Sequence, residues 1–239
     1  MSASCDCRHG VLAFGDSITN AGGELQWGVA LQSWALWLAR GLGLPYTGYA
    51  VDGAVVADVV GEQLPAFAAR AAAPQARYDV GCLYIGVNDV RGFDWDASAF
   101  RAAHRAALAE ITARSDRTLA LTAPLGLGLP RAGAKVLELN AAIAANAAGL
   151  GALVVDLSDF GARNHVMADR VHPTAFGQIA IAERALAVLA ADGLPTRVPP
   201  AALIRYETSW RGRLRGDLSY AYRTGKELAR AVGRRLPTG

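Results

Sequence analysis

Three cysteines in 239 residues are too few for a disulfide scaffold in a chain of this size. Cys5, Cys7 and His9 form one Cys-x-Cys-x-His cluster, but the spacing matches no usual zinc pattern and no second ligand pair accompanies it. It reads as a frayed terminus, and no metal or cofactor is expected. Cys82, inside an apolar run, reads as a small core residue. No stretch approaches the roughly 20 consecutive apolar residues that a membrane-spanning helix needs. The first ten residues show no basic segment leading into an apolar core, so no export signal is expected and the cytoplasm is the expected location. Repeats and low-complexity linkers are absent, and no Gly-x-Gly-x-x-Gly follows the first apolar run, which counts against a dinucleotide binder.

Charge is also scarce where the bulk numbers suggest it. The net charge is +3, yet residues 1–195 carry 14 basic and 18 acidic groups, a net of −4. Residues 196–239 carry 10 basic and 3 acidic groups, a net of +7. The basic character therefore belongs to the tail alone, and the main body is not expected to bind nucleic acid. A hydrophobic content of 52% indicates a packed core.

Apolar runs of strand length recur at Gly10–Phe14, Tyr46–Val51, Val80–Ile85, Thr118–Thr122 and Leu153–Leu157. Helical segments lie between them, at Trp27–Gly41, Val55–Arg70, Ala97–Arg114 and Lys135–Leu150, and a last one covers Thr174–Ala191. Strands alternating with helices predict a parallel sheet, and continuously apolar strands predict burial on both faces. Ligands in such sheets bind at the carboxyl ends of the strands. Trp27, Trp34 and Trp37, at helical spacing, read as core. His104 falls in an Arg/Ala-rich helical segment and is expected to face solvent.

The main domain is expected to close near Pro195, giving a unit of residues 1–195 and a basic, partly helical extension of 196–239. Within that extension Leu218, Tyr222, Gly225, Leu228, Val232 and Leu236 recur at spacings of three and four, with Arg223, Lys226, Arg230 and Arg234 between them. This basic amphipathic helix, 218–236, is expected to dock on the net-acidic domain or to stay partly disordered. A weak contact with an anionic membrane surface is the next reading, and an acidic partner or nucleic acid the last.

Four segments follow strand ends or precede the final helix: Gly15-Asp16-Ser17, Asp52-Gly53-Ala54, Gly86-Val87-Asn88-Asp89 and Asp169-Arg170-Val171-His172-Pro173. Ester hydrolysis needs a nucleophile, a base, a group orienting the base, and donors for the oxyanion. Ser17, expected at a sharp strand-to-helix turn, suits the nucleophile, His172 the base, and Asp169 the orienting acid. Asp156 and Asp159 are rivals for that last role, and His165 a lesser rival for the base. The backbone N–H groups of Ser17 and Gly53 and the side-chain amide of Asn88 suit the oxyanion. Asp16 and Asp89 read as structural. Helix capping alone would account for Ser17, and an ordinary Asx turn for Asn88.

These four segments resemble the blocks of the SGNH/GDSL hydrolase superfamily over residues 10 to about 192, in the right order. The second block departs from the pattern, with Asp52 where the family often has asparagine before the glycine. The resemblance implies a flavodoxin-like three-layer α/β/α sandwich with a five-stranded parallel sheet. It also implies metal-free hydrolysis of a small acyl ester or thioester through an acyl-enzyme, with a GDSL-type esterase activity. The family places substrate-contacting loops after the third block, so Phe93 and Trp95 are read either as lining an acyl pocket or as covering the sheet edge. An acyltransferase on the same site and a non-catalytic binding module of the same fold are the alternatives.

Overall fold

A computed structural model of the chain describes residues 8–24, 29–70, 76–204 and 209–233. Five strands, β1 (Val11–Gly15), β2 (Tyr46–Gly48), β3 (Tyr78–Tyr84), β4 (Ser115–Leu121) and β5 (Leu153–Val155), form one sheet in the order β2-β1-β3-β4-β5. Every pairing is parallel. This is the doubly wound flavodoxin-like order, whose switch point lies between β1 and β3. Helices α1 (Trp34–Leu42), α2 (Val56–Asp58), α3 (Leu64–Arg70), α4 (Val87–Arg91), α5 (Ala97–Ala113), α6 (Lys135–Leu150) and α7 (Ala175–Ala191) complete the sandwich. α1 packs with α7, and α5 with α6, one pair on each face of the sheet. The chain ends in α8 (Trp210–Gly233).

The strands are apolar throughout because both faces are covered: every residue of β1 is buried, as are six of the seven residues of β3. Trp34 and Trp37 join this core, while Trp27, Cys5, Cys7 and Leu236 fall outside the described residues. Cys82 is fully buried, and burial pushes its thiol far above the ordinary range. His9 rests against the Tyr78 ring, centroid to centroid 5.5 Å.

Four sequence expectations need correction. First, no regular helix follows Ser17. The chain makes a single tight turn, with Asn20 N–H bonded to Asp16 C=O at 2.9 Å and Ala21 left-handed at φ 65°. The first long helix starts at Trp34, where the Ser33 hydroxyl caps it by accepting from Ala35 N–H. Second, the expected helix over 55–70 is broken by a π-helical turn at Val59–Gln63, which lies where Gln63 reaches into the sheet. Third, β2 is three residues long, shorter than its apolar run. Fourth, His104 is 1% exposed. It shares one face of α5 with Phe100, Ala107, Leu108 and Ile111, positions at i−4, i+3, i+4 and i+7 from it, and that face packs on α6. Its Nδ1 accepts from the Asn146 amide at 3.2 Å, and desolvation lowers its pKa to about 4.

Candidate active site

The carboxyl ends of β1 and β3 flank the switch point, and the first three segments gather there. Gly15 ends β1 with φ 154°, and a Cβ on it would lie 2.3 Å from the Tyr84 carbonyl oxygen of the neighbouring strand. Only glycine fits so close to a facing backbone. Gln63 holds this residue from the other side: its Oε1 accepts from Gly15 N–H at 3.1 Å and its amide donates to Gly15 C=O at 2.8 Å. Asp16, 1% exposed, accepts from Ile18 N–H at 2.9 Å and so closes the turn that presents Ser17. Its other carboxylate oxygen has no hydrogen-bond partner among the described residues, and desolvation pushes its pKa up to about 7.

Polar links tie the second and third segments to the first. Asn20 donates to the Asp52 carboxylate at 2.9 Å, so the aspartate that departs from the family pattern anchors its turn. Gly53 is left-handed at φ 79°, with none of the described residues within 4 Å of where a Cβ would stand. The Asn88 amide donates to Ala54 C=O at 2.9 Å, leaving its second N–H for another acceptor. The Asp89 carboxylate accepts from Val56 N–H at 3.1 and 3.2 Å. Burial raises its pKa despite that bond.

The fourth segment closes the arrangement from the far end of the chain. Asp169 Oδ1 accepts from Val171 N–H at 2.9 Å and from His172 N–H at 3.1 Å. Its Oδ2 lies 2.7 Å from His172 Nδ1. His172 Nε2 lies 2.9 Å from Ser17 Oγ. A carboxylate on Nδ1 requires that nitrogen to carry the proton, which leaves the Nε2 lone pair facing the serine hydroxyl. Between the two residues Arg170 is left-handed at φ 56°, held by its carbonyl accepting from Gly128 N–H at 2.8 Å. The loop is thus pinned at both edges of the imidazole.

The electrostatics suit proton transfer. The hydrogen bond from Asp169 is the main influence raising the His172 pKa above its ordinary value, against desolvation, with the Asp16 charge adding and the Arg91 charge opposing. For Asp169, desolvation pushes upward. The bonds from the His172 ring and from two backbone N–H groups outweigh it and hold the carboxyl below the usual range.

The rival residues point elsewhere. Asp156 is bonded to Thr122 at 3.0 Å and Ser158 N–H at 2.9 Å. Asp159 pairs with Arg184 at 2.5 Å, and His165 stacks on Phe160 at 5.6 Å. Phe93 is fully exposed, whereas Trp95 is half-buried, donating to Glu138 at 2.8 Å. Both line a cleft of about 410 Å³ that also takes in Asn88, Val55, Val56 and Phe100.

Two glutamines central to this construction were not legible as site residues. Gln63 is one. Gln178 is the other: it accepts from Trp34 N–H at 2.8 Å and donates to Ile18 C=O at 2.9 Å and Gly22 C=O at 3.2 Å, binding α7 to the Ser17 turn. Each is a polar residue on an otherwise apolar helix face, the one sequence signal that could have found them. Arg91, whose charge reaches His172, carries no such signal.

A family model described as the GDSL-like lipase/acylhydrolase family matches residues 13–179. Among solved structures, the chain is similar to LAE5, an alpha/beta hydrolase enzyme from the metagenome of Lake Arreo, Spain. The identity is 21% and the TM-score 0.60, over 76% of this chain and 95% of that one. It is also similar to Axe2, an acetylxylan esterase from Geobacillus stearothermophilus, at 20% identity and a TM-score of 0.58, over 76% of this chain and 94% of that one. Catalytic mutants of Axe2 at a serine, an aspartate and a histidine match as well. Likeness at these identities concerns the fold. No curated protein matches.

Proposed function

The chain belongs to the GDSL-like lipase/acylhydrolase family and is a carboxylic ester hydrolase, and from that premise we propose that it cleaves a small acyl ester or thioester through an acyl-enzyme on Ser17. The observation that carries this reading is the continuous chain Asp169–His172–Ser17, with steps of 2.7 and 2.9 Å. His172 Nε2 takes the serine proton as Oγ attacks the carbonyl carbon, and returns it to the leaving group. Asp169 holds the tautomer and stabilises the imidazolium. The N–H groups of Ser17 and Gly53 and the free N–H of Asn88 receive the oxyanion. Water then repeats the cycle in reverse and releases the acid.

Two further observations support this reading. In Axe2 the catalytic aspartate and histidine stand three residues apart, the spacing of Asp169 and His172. The cleft beside Asn88, with Trp95 and Phe93 on its wall, would take the acyl group. The hydrolase unit is residues 1–195 in this proposal, with 196–239 an added basic segment and the cytoplasm the site of action. Among the described residues no helix is long and apolar enough to cross a membrane.

The test is labelling with a fluorophosphonate probe together with turnover of acyl esters from acetyl to palmitoyl. Stoichiometric modification of Ser17, lost in His172→Ala and Ser17→Ala together with turnover, is expected. Turnover that persists in Ser17→Ala would sink the proposal.

A further inference from the structure

α8 is an amphipathic helix laid on the domain the wrong way round. At 100° per residue, Trp210, Leu214, Leu218, Tyr222 and Leu228 fall within one third of its circumference. A helix on a globular surface ordinarily turns such a stripe to the core. Here the stripe faces out: the five residues are 69, 50, 63, 74 and 50% exposed. The opposite, polar side meets the domain. Asp217 pairs with Arg163 at 2.6 Å, the Arg163 guanidinium lies 5.1 Å from the Tyr220 ring, and Arg223 pairs with Glu24. Ser219, Tyr220, Thr224 and Glu227 are half-buried along this side.

This orientation sorts the charges as well. Asp217 and Glu227 are the only acidic residues of α8, and both are engaged, Glu227 with Arg230 at 2.6 Å. What remains outward is the apolar stripe with Arg211 and Arg215 along one side, while Lys226 and Arg230, also exposed, flank the cleft toward Glu24 and Asp169. A face that combines exposed Leu, Tyr and Trp with basic residues, and offers no free carboxylate, matches an anionic lipid surface. A second copy of the same face would set basic residues against basic residues.

We propose that the outward face of α8 binds an anionic membrane surface, with Trp210, Leu214, Leu218, Tyr222 and Leu228 entering the interface and the basic side contacting lipid phosphates. The helix also lies beside the catalytic loop. Arg223, Lys226, Glu227 and Arg230 line a cleft of about 250 Å³ with Met167, Ala168 and Asp169, so the proposed lipid-binding helix adjoins the loop that carries the serine's partners. The lipid surface proposal does not depend on which ester is cleaved.

The full chain should float with vesicles of phosphatidylcholine containing one third phosphatidylglycerol, and not with phosphatidylcholine alone, and salt should weaken the binding. Leu218→Ser combined with Tyr222→Ser should lower partitioning at least about tenfold, with the thermal midpoint unchanged because both side chains are exposed. Arg211→Glu combined with Arg215→Glu should lower it similarly and remove the salt dependence. No flotation of the unaltered chain with anionic vesicles, or flotation that survives both pairs of changes, overturns the proposal. So does light scattering that shows a dimer which the Leu218/Tyr222 pair dissolves, or binding to an oligonucleotide but not to vesicles.

Discussion

His172 Nε2 stands 2.9 Å from Ser17 Oγ although 155 residues separate the two in the chain. The contact exists because β1 lies inside the sheet between β2 and β3, and because the loop before α7 returns to its carboxyl end. Ser17 itself sits on a turn fixed by Asp16 and Gln63, so the nucleophile is positioned by groups that do no chemistry.

Replacing Asp169 by Asn keeps the Oδ1 bonds to two backbone N–H groups and removes the charge on Nδ1. The tautomer is then no longer fixed, and kcat should fall by about 10²–10⁴-fold. His172 must be neutral to act as a base, and Asp169 raises its pKa. Activity in the unaltered enzyme is therefore lost as pH falls through a value above that of an ordinary histidine. In Asp169→Asn this acid limb should move to lower pH, as a pH–rate profile would show. An unmoved limb would remove Asp169 from the role.

Asn88→Ala deletes the amide assigned to the oxyanion, together with the bond to Ala54. A drop of about 10²–10³-fold in kcat with little change in KM is expected. A rise in KM alone would show that Asn88 binds substrate without serving the transition state.

Gln63→Leu would leave the N–H and C=O of Gly15 without their buried partners. Each unsatisfied group costs about 1–3 kcal/mol, so the urea midpoint should fall clearly. Turnover should decline too, because the strand end carrying Ser17 is released.

Asp16 titrates near 7 in the fold, against an ordinary value of 3.8. A carboxyl whose folded pKa is raised favours the fold when protonated, and that advantage is lost as pH rises from about 4 through 7. Asp16→Asn mimics the protonated form. Its thermal midpoint should exceed that of the unaltered chain at pH 8 and match it at pH 4. Equal midpoints at both pH values would show that the carboxyl is not a buried acid.

His104 has the opposite sign of effect. Its folded pKa is lowered to about 4, so its contribution is full above 6.5 and is lost as pH falls from there through 4. Calorimetry at pH 8 and pH 5 should show a smaller decrease in midpoint for His104→Leu than for the unaltered chain. The variant is less stable at pH 8, since Asn146 loses an acceptor.

Much of this protein follows from local pattern. The five apolar runs, the long helices α5, α6 and α7 and the four motif segments were legible because burial on both faces writes itself as unbroken apolar strands, and because Ser17 and Asn88 follow strand ends and His172 precedes α7. His104 was misread from the charged residues around it, although its spacing from Phe100, Leu108 and Ile111 places it on the apolar face. Tertiary structure alone decided the rest. The π turn that aims Gln63 at Gly15, the grip of Gln178 on the Ser17 turn, and the Asn20–Asp52 link join residues far apart in the chain, and no period in the sequence encodes such a distance. The amphipathic pattern of α8 was likewise readable, but which of its sides meets the domain was not. Periodicity defines the faces of a helix, whereas only the folded structure shows which one is covered, the side on which Arg223 meets Glu24 and Asp217 meets Arg163.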